Sequence, residues 1–331
     1  LDRMAMAAAC ADNPRERVAQ FLKLHFDHYI SAFRGEVRPI AILSEIRALD
    51  DPVRSLLFAR FQALFRTVRA FFGPVDDEVR KSILTARTQT LIEAIFWSDV
   101  WMRQYALSDL DNVRQRLFDL LDGGIAARPQ NKAARIFDIM VEPPTDGRPP
   151  FLKSAIKLIN DMGYKGASID RIAGDINLTK GSFYHHLEAK DDLILECFRD
   201  SYRRLGYLRQ AAQETCESRW DVLRSIVASA VALQFEGHDP LLRTTALQAL
   251  PLTMRAGMRE LSNRTAMFLS GLVVDAMREG HVRVIDPYLA GHLIMSTINS
   301  ANELRSWASR LDRSEAVTRY ASVIEIGIFD D

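Results

Sequence analysis

Asn177-Leu-Thr-Lys-Gly-Ser-Phe-Tyr-His-His-Leu187 is the stretch on which the reading of this chain turns. Thr179 opens a short helix in which Phe183 and Leu187, four residues apart, face inward, leaving Lys180, Ser182, Tyr184 and His186 outward. Just upstream, Ser168 is placed to cap a helix whose inner positions are Ile169, Ile172, Ala173 and Ile176. The turn between the two needs one residue that tolerates positive φ, and among Asp175-Ile-Asn-Leu178 that residue is Asn177. Further back, Leu152, Ala155, Ile156 and Ile159 make one helical face, which Gly163 ends. A short helix, a tight turn and a second helix with a Lys, Ser, Tyr and His face predict a helix-turn-helix head. Lys180 supplies charge for phosphate, Ser182 and Tyr184 supply hydroxyls, His186 offers a ring nitrogen, and the free amides near Thr179 add an anion site.

Outward from this head the chain reads as an ordinary globular protein of 331 residues, 48% hydrophobic and 26% charged, with 16 Gly and 12 Pro. Collagen-like, low-complexity and wholly disordered classes are excluded. At about 150 residues per domain the length suggests two domains or two copies of one. Lys and Arg total 43 and so do Asp and Glu, so any DNA-binding surface is a local patch. From Gly163 to Lys190 four basic residues face three acids, and a single head of that charge binds DNA poorly. Cys10, Cys197 and Cys216 stand far apart, which argues against a disulfide scaffold or a zinc module; Cys197, at helical spacing from Leu193 and Ile194, reads as buried. The longest uncharged run, Pro287 to Asn302, is too short and too polar to span a bilayer, so a cytoplasmic protein without a membrane partner is expected.

Helical periodicity dominates and strand alternation is nearly absent, so the fold class expected is all-α. Breaks fall at Arg34-Gly35, Asp50-Asp51-Pro52 and Gly73-Pro74, and longer helical patterns run from Val79 to Tyr105 and from Leu110 to Leu121, stopping at Gly123-Gly124. Lys132 to Val141 reads as a short helix, and Glu142-Pro-Pro-Thr-Asp-Gly-Arg-Pro-Pro150 as a linker. The expected domains are 1–126, a linker at 127–149, the head at 150–199, and a second helical domain at 200–331.

The head residues resemble the N-terminal domain of the TetR/AcrR transcriptional regulators. The resemblance rests on Gly163-Tyr164, Ser168-Ile169, Ile172-Ala173, the Asn177–Leu187 run and Lys190-Asp-Asp-Leu-Ile194, about fifty residues with the spacing kept throughout. It implies DNA contacts from Ser168, Thr179, Lys180, Gly181, Ser182, Tyr184, His185, His186 and Lys190, with Phe183 and Leu187 in the core. Three departures stand out: Asn177 where glycine is usual, Glu188 where a basic residue is common, and Ala189 where a capping Ser or Asn is common. Glu188 is expected to weaken DNA affinity. The resemblance also implies helical ligand-binding and dimerisation domains, an operator as partner, and release of DNA when a small apolar or amphipathic ligand of unknown identity binds.

An internal repeat extends the argument. At an offset of 202 residues Leu91-Ile92 pairs with Leu293-Ile294, Ser98 with Ser300, Arg103 with Arg305 and Tyr105 with Trp307. At 203, Arg116 pairs with Arg319, Leu120 with Val323, Leu121 with Ile324 and Gly124-Ile125 with Gly327-Ile328. Family members pair through the last helices of each subunit, so both copies in one chain imply an intrachain pseudo-dimer, with a homodimer as the alternative. Trp97, Trp101, Tyr105, Leu304 and Trp307 are the expected seam residues. Carried back by the same offset, the head at 150–199 falls before residue 1, so the expectation is a tandem form whose first head is absent from this sequence. The rival reading is a protein-interaction adaptor or heterodimer partner with a structural helix-turn-helix.

Other constellations are weaker. His25 and His28 sit on one helix face without a third metal ligand in view, and Met254, Met258 and Met267 suit an apolar pocket or plain core filling. Gly-rich phosphate loops, nucleophile elbows and zinc-protease motifs are missing from the sequence, and no enzyme, cofactor or metal is expected.

Overall fold

A computed structural model of the chain describes residues 1–40, 49–128, 132–138, 150–177, 190–244, 246, 250 and 252–329. Among them every regular element is a helix, and the one β feature is an isolated bridge between Ala126 and Val282. None of these helices is long and apolar enough to cross a membrane. The first region supplies α1 (Asp2–Ala8), α2 (Pro14–Phe33), α3 (Asp51–Arg69), α4 (Glu78–Trp101) and α5 (Leu110–Gly123). The second supplies α6 (Pro150–Gly166), α7 (Ile169–Asp175), α8 (Lys190–Thr215), α9 (Arg219–Glu236), α10 (Leu252–Arg278), α11 (Pro287–Ser300) and α12 (Arg313–Ile326).

Short polar side chains set where these helices begin. Asn13 accepts from the Glu16 amide at 2.9 Å with Pro14 at the first helical position, and Asp77 accepts from the Arg80 amide at 2.6 Å. Ser218 does the same for α9 at 3.0 Å, while Asp286 takes the Tyr288 and Leu289 amides that open α11. Each cap satisfies amide donors that the first helical turn leaves without an intrahelical acceptor.

One stretch folds otherwise than its periodicity suggests. Residues 132–138 are not helical; the rest of the expected 132–141 helix lies outside the described residues. They run as a strap whose bonds go to other elements: the Phe137 amide donates to Ser229 Oγ at 2.8 Å, Arg135 to the Thr215 carbonyl at 3.3 Å, and Asp138 pairs with Arg313 at 2.5 Å. Ile136 and Phe137 pack half-buried on the core, so tertiary bonds replace the local ladder.

Buried side chains form two clusters. The larger joins α1–α5 to α8–α12, with Phe21, Leu91, Trp220, Ile294 and Tyr320 all essentially buried. The smaller holds Phe151, Ile156, Ile172, Leu193 and Phe198, together with Leu242, Leu250 and Met258 from beyond α9.

Across the larger core, α4 packs on α11 and α12, and α5 on α12. Where α5 and α12 end, the Ile125 amide donates to the Ile324 carbonyl at 2.9 Å and the Ile328 amide to the Leu121 carbonyl at 2.8 Å. At the 203-residue offset Ile125 corresponds to Ile328 and Leu121 to Ile324, so each bond is the image of the other, as in an isologous contact. The glycines beside them match too. Gly124 has φ 61° and ψ −160°, Gly327 φ 89° and ψ −175°, and each lies against the backbone of the other segment.

Candidate nucleic-acid interface

The head is built from α6, α7 and the start of α8. Its apolar face is the one its spacing predicts: Leu152, Ala155, Ile156, Ile159, Ile172 and Ala173 are all buried, and Ile169 is nearly so. Gly163, at φ 73°, breaks α6 and turns the chain toward α7. Ser168 caps α7, its Oγ accepting from the Arg171 amide at 3.3 Å. Ser154 Oγ donates to Asp175 at 2.7 Å and fastens the far end of α7 back on α6.

The turn takes the conformation that the sequence requires. Asn177 has φ 56°, and among the described residues it is the only non-glycine with positive φ. The short side chain of Asn makes this region accessible at small cost, whereas a Cβ without that local polarity does not. Asn177→Ala is therefore expected to lower the stability of the head by about 1 kcal/mol. Asn177→Gly is expected to leave it nearly unchanged. Urea unfolding followed by helical circular dichroism measures both, and equal losses would mean that the positive φ at this turn does not select its residue.

Thr179, Lys180, Gly181, Ser182, Tyr184, His185 and His186, with Phe183, Leu187 and Glu188, lie outside the described residues. Two of the nine expected contacts can be placed. Ser168 sits at the α7 N-terminus, its oxygen used by the cap and its hydroxyl proton free to turn outward. Lys190 begins α8 with its ammonium bonded to the Tyr164 carbonyl and 4.2 Å from the centre of the Tyr164 ring, while the Tyr164 hydroxyl donates to Asp191. Lys190 thus ties Gly163-Tyr164 to α8, and a phosphate would share a cation already engaged.

Residues 151–197 match the family model described as bacterial regulatory proteins, tetR family. The likeness to that family is confined to this segment, 47 of the 331 residues. That segment, here the TetR domain, lies on α6, α7 and the start of α8. The Transposon Tn10 TetC protein of Escherichia coli is 24% identical over 148 residues, covering 43% of this chain and 72% of that protein. Among solved structures, the TetR family transcriptional regulator PfmR from Thermus thermophilus is 22% identical with a TM-score of 0.44, covering 54% of this chain and 99% of its own. A tetR-family regulatory protein from Rhodococcus RHA1 is 18% identical with a TM-score of 0.45, covering 55% and 97%.

What the sequence did not disclose is how the TetR domain is seated. Asn160, buried on α6, donates to the Leu241 carbonyl at 2.9 Å and accepts from the Arg243 amide at 3.1 Å, and Ser201 Oγ accepts from the Leu242 amide at 2.8 Å. Arg204 holds the Asp239 and Pro240 carbonyls at 2.8 and 3.1 Å, and Asp161 pairs with Arg305. The only hint was an Asn on an otherwise apolar helix face.

The expected seam residues divide. Trp97 Nε1 donates to His292 Nδ1 at 3.3 Å, Tyr105 packs edge-on to Tyr288 at 5.8 Å and bonds Asp286, and Trp307 Nε1 donates to Ser82 Oγ at 2.9 Å. These three join the two regions. Trp101 packs on Phe26 of its own region, and Leu304 is buried in the shared core. His25 bonds Ser98 Oγ at 2.7 Å and His28 the Arg38 carbonyl at 3.0 Å, and no group of three metal-ligating side chains occurs among the described residues. The methionines do not gather: Met258 and Met254 pack on the TetR-domain core while Met267 is 57% exposed.

Proposed function

We propose that the chain is a ligand-responsive transcriptional regulator of the repressor type, which binds an operator through the TetR domain and releases it when a small molecule binds. The observation that carries this is the Ser168-capped α7, followed by Asn177 in the left-handed region, within a segment that matches the family model. Thr179, Lys180, Gly181, Ser182, Tyr184, His185 and His186 then form the reading face, with Ser168 and Lys190 at its flanks. The organisation proposed is two helical copies, at 1–126 and 200–331, forming an intrachain pseudo-dimer around the head at 150–199. The reciprocal Ile125–Ile324 and Ile328–Leu121 bonds and the matching Gly124 and Gly327 support it.

Release follows from linkage. A ligand that favours an arrangement in which the head no longer fits its operator lowers operator affinity by the same factor by which DNA lowers ligand affinity. The Asn160–Arg243 bond, the Arg243–Glu303 pair at 2.6 Å and the Asp161–Arg305 pair form a direct physical route between the seam and the head.

The test is selection of genomic DNA fragments by the full chain at low and physiological salt, with Tyr184→Ala and Lys180→Ala as controls. A regulator enriches a short half-palindrome and loses about tenfold or more in affinity on either substitution, at unchanged helicity, because each removes a phosphate or base contact. An adaptor with a structural head enriches nothing and behaves the same in both variants; the near-neutral patch that includes Glu188 is the feature that favours this second reading.

A further inference from the structure

A cleft of about 420 Å³ opens on the seam between the N-terminal part of α4 and α12. Its walls bring together Arg87 and Arg319 with apolar surface from Ile83, Val323 and Ile326. Arg87 is 7% exposed, and it also lines a neighbouring cavity of about 490 Å³ beside Arg15, Phe72 and Phe329. Arg319 pairs with Glu315 on its own helix, and Arg15 pairs with Asp122 at 2.6 Å while lying 4.9 Å from the centre of the Phe329 ring. Among the residues that line the cleft, two arginines stand against one carboxylate, an excess of positive charge. A guanidinium has five N–H donors, so Arg319 keeps donors beyond those used on Glu315. Arginine forks match carboxylate and phosphate oxygens, and such bonds strengthen where water is thinned by surrounding protein.

On the duplicated reading, the equivalent place in the other half carries different charges. Offsets of 202 and 203 residues put Leu289 where Arg87 stands, Arg116 where Arg319 stands and Asp119 where Ser322 stands. There Arg116 lies 3.5 Å from Asp286 and 3.7 Å from Asp109, and Asp119 pairs with Arg283 at 2.7 Å. The cleft side has gained a buried arginine and lost an acid relative to its counterpart.

We propose that the α4–α12 cleft binds a small amphipathic anion, its charged head on Arg87 and Arg319 and its short apolar tail along Ile83, Val323 and Ile326. A volume of this size falls in the range of small-molecule sites, which combine apolar walls with a few convergent polar groups. The ligand would touch α4 from one half and α12 from the other, so its binding bears on how the two halves pack. The proposal concerns ligand binding alone and holds or fails whether or not the TetR domain reads DNA.

Calorimetric titration of the full chain, without DNA, tests it with octanoate, octyl phosphate and octan-1-ol as probes. Trp307, bonded to Ser82 beside Ile83, serves as a fluorescence reporter. One octanoate is expected to bind per chain, with octan-1-ol at least about tenfold weaker because it carries no charge for the arginines. Arg319→Gln and Arg87→Leu are each expected to weaken octanoate about tenfold or more. Ser322→Leu, which narrows the cleft from its wall without touching a charge, is expected to abolish binding and keeps the test decisive if Arg87→Leu fails to fold. Tighter binding of octyl phosphate than of octanoate would identify a phosphate head, and the reverse a carboxylate; both support an anion site. Failure of wild-type chain to bind either anion, equal affinity for octan-1-ol, or unchanged affinity in folded Arg319→Gln and Ser322→Leu would each overturn the proposal.

Discussion

Gly124→Ala is expected to destabilise the fold by on the order of 4 kcal/mol, and Gly327→Ala by a similar amount, which places both among the most damaging single substitutions a small side chain can make. Two costs combine. Alanine in the left-handed half of φ space costs roughly 1–2 kcal/mol by itself. The larger part is steric: a Cβ on Gly124 would lie 2.3 Å from the Glu325 carbonyl oxygen, and one on Gly327 would lie 2.1 Å from that of Asp122. Those obstacles are backbone, so relief requires the ends of α5 and α12 to part. Parting them breaks the Ile125–Ile324, Ala126–Glu325 and Ile328–Leu121 bonds, each worth about 1 kcal/mol net. Gly280→Ala is the control for positive φ without a steric obstacle, because its φ is 77° and nothing lies within 4 Å of the new methyl. The double variant should cost clearly less than the two singles together, since the first substitution already opens the contact that the second would open. Denaturant midpoints of the four variants decide the matter. Additive losses would mean that the two glycines belong to separate contacts, and a loss no greater than that of Gly280→Ala would mean that the seam yields without cost.

This contact also marks the boundary between what was legible in the sequence and what was not. The Gly-Ile pairs were visible as a repeated motif, and the helix stop at Gly123-Gly124 as a local signal, because both are written in neighbouring residues. Their meeting could not be read, since it joins Leu121 to Ile328 across some two hundred residues. The same division runs through the head. The cap at Ser168 and the left-handed Asn177 depend on one residue and its next few neighbours, and they stand where the spacing put them. The seat of the TetR domain on residues 239–243 depends on Asn160, Ser201 and Arg204, whose partners are 35 to 83 positions away. The 132–138 strap failed as a helix for a related reason. Its apolar spacing suits a helix, but Ser229, Thr215 and Arg313 supply bonds that no local pattern encodes.

Acidification from pH 7 to pH 4 is expected to weaken the fold through His25 and His292, by on the order of 3 kcal/mol for each. Burial lowers both imidazoles to a pKa of about 4, in His25 with some help from the neighbouring His28 and the N-terminal amine. His292 accepts the Trp97 indole N–H on Nδ1, which only the unprotonated nitrogen can do, and its ring stands edge-on to Tyr288 at 4.6 Å. Both groups are therefore neutral in the fold, and below pH 6.5 the unfolded chain binds more protons than the folded one. Their stabilisation is complete above pH 6.5 and disappears as the pH falls toward 4. Glu93 works in the other direction. Burial, with Glu303 nearby, raises its carboxyl to about 7 against the pull of Arg243, so its contribution is present below pH 4.5 and is lost as the pH rises through 7. Over the same interval Glu93 offsets about one of the two histidines, and the three groups together leave a net loss of about 3 kcal/mol on acidification. Two substitutions separate these opposing terms. His292→Gln keeps an acceptor for Trp97 but does not titrate, and should remove most of that net loss. Glu93→Gln removes the offset, which should raise stability at pH 8 by up to about 3 kcal/mol, change it little at pH 4 and steepen the acid dependence. Urea midpoints measured at intervals from pH 8 to pH 4 give all three curves. If His292→Gln runs parallel to wild type, the Trp97–His292 contact is not where the fold senses acid, and His25 must account for the whole slope.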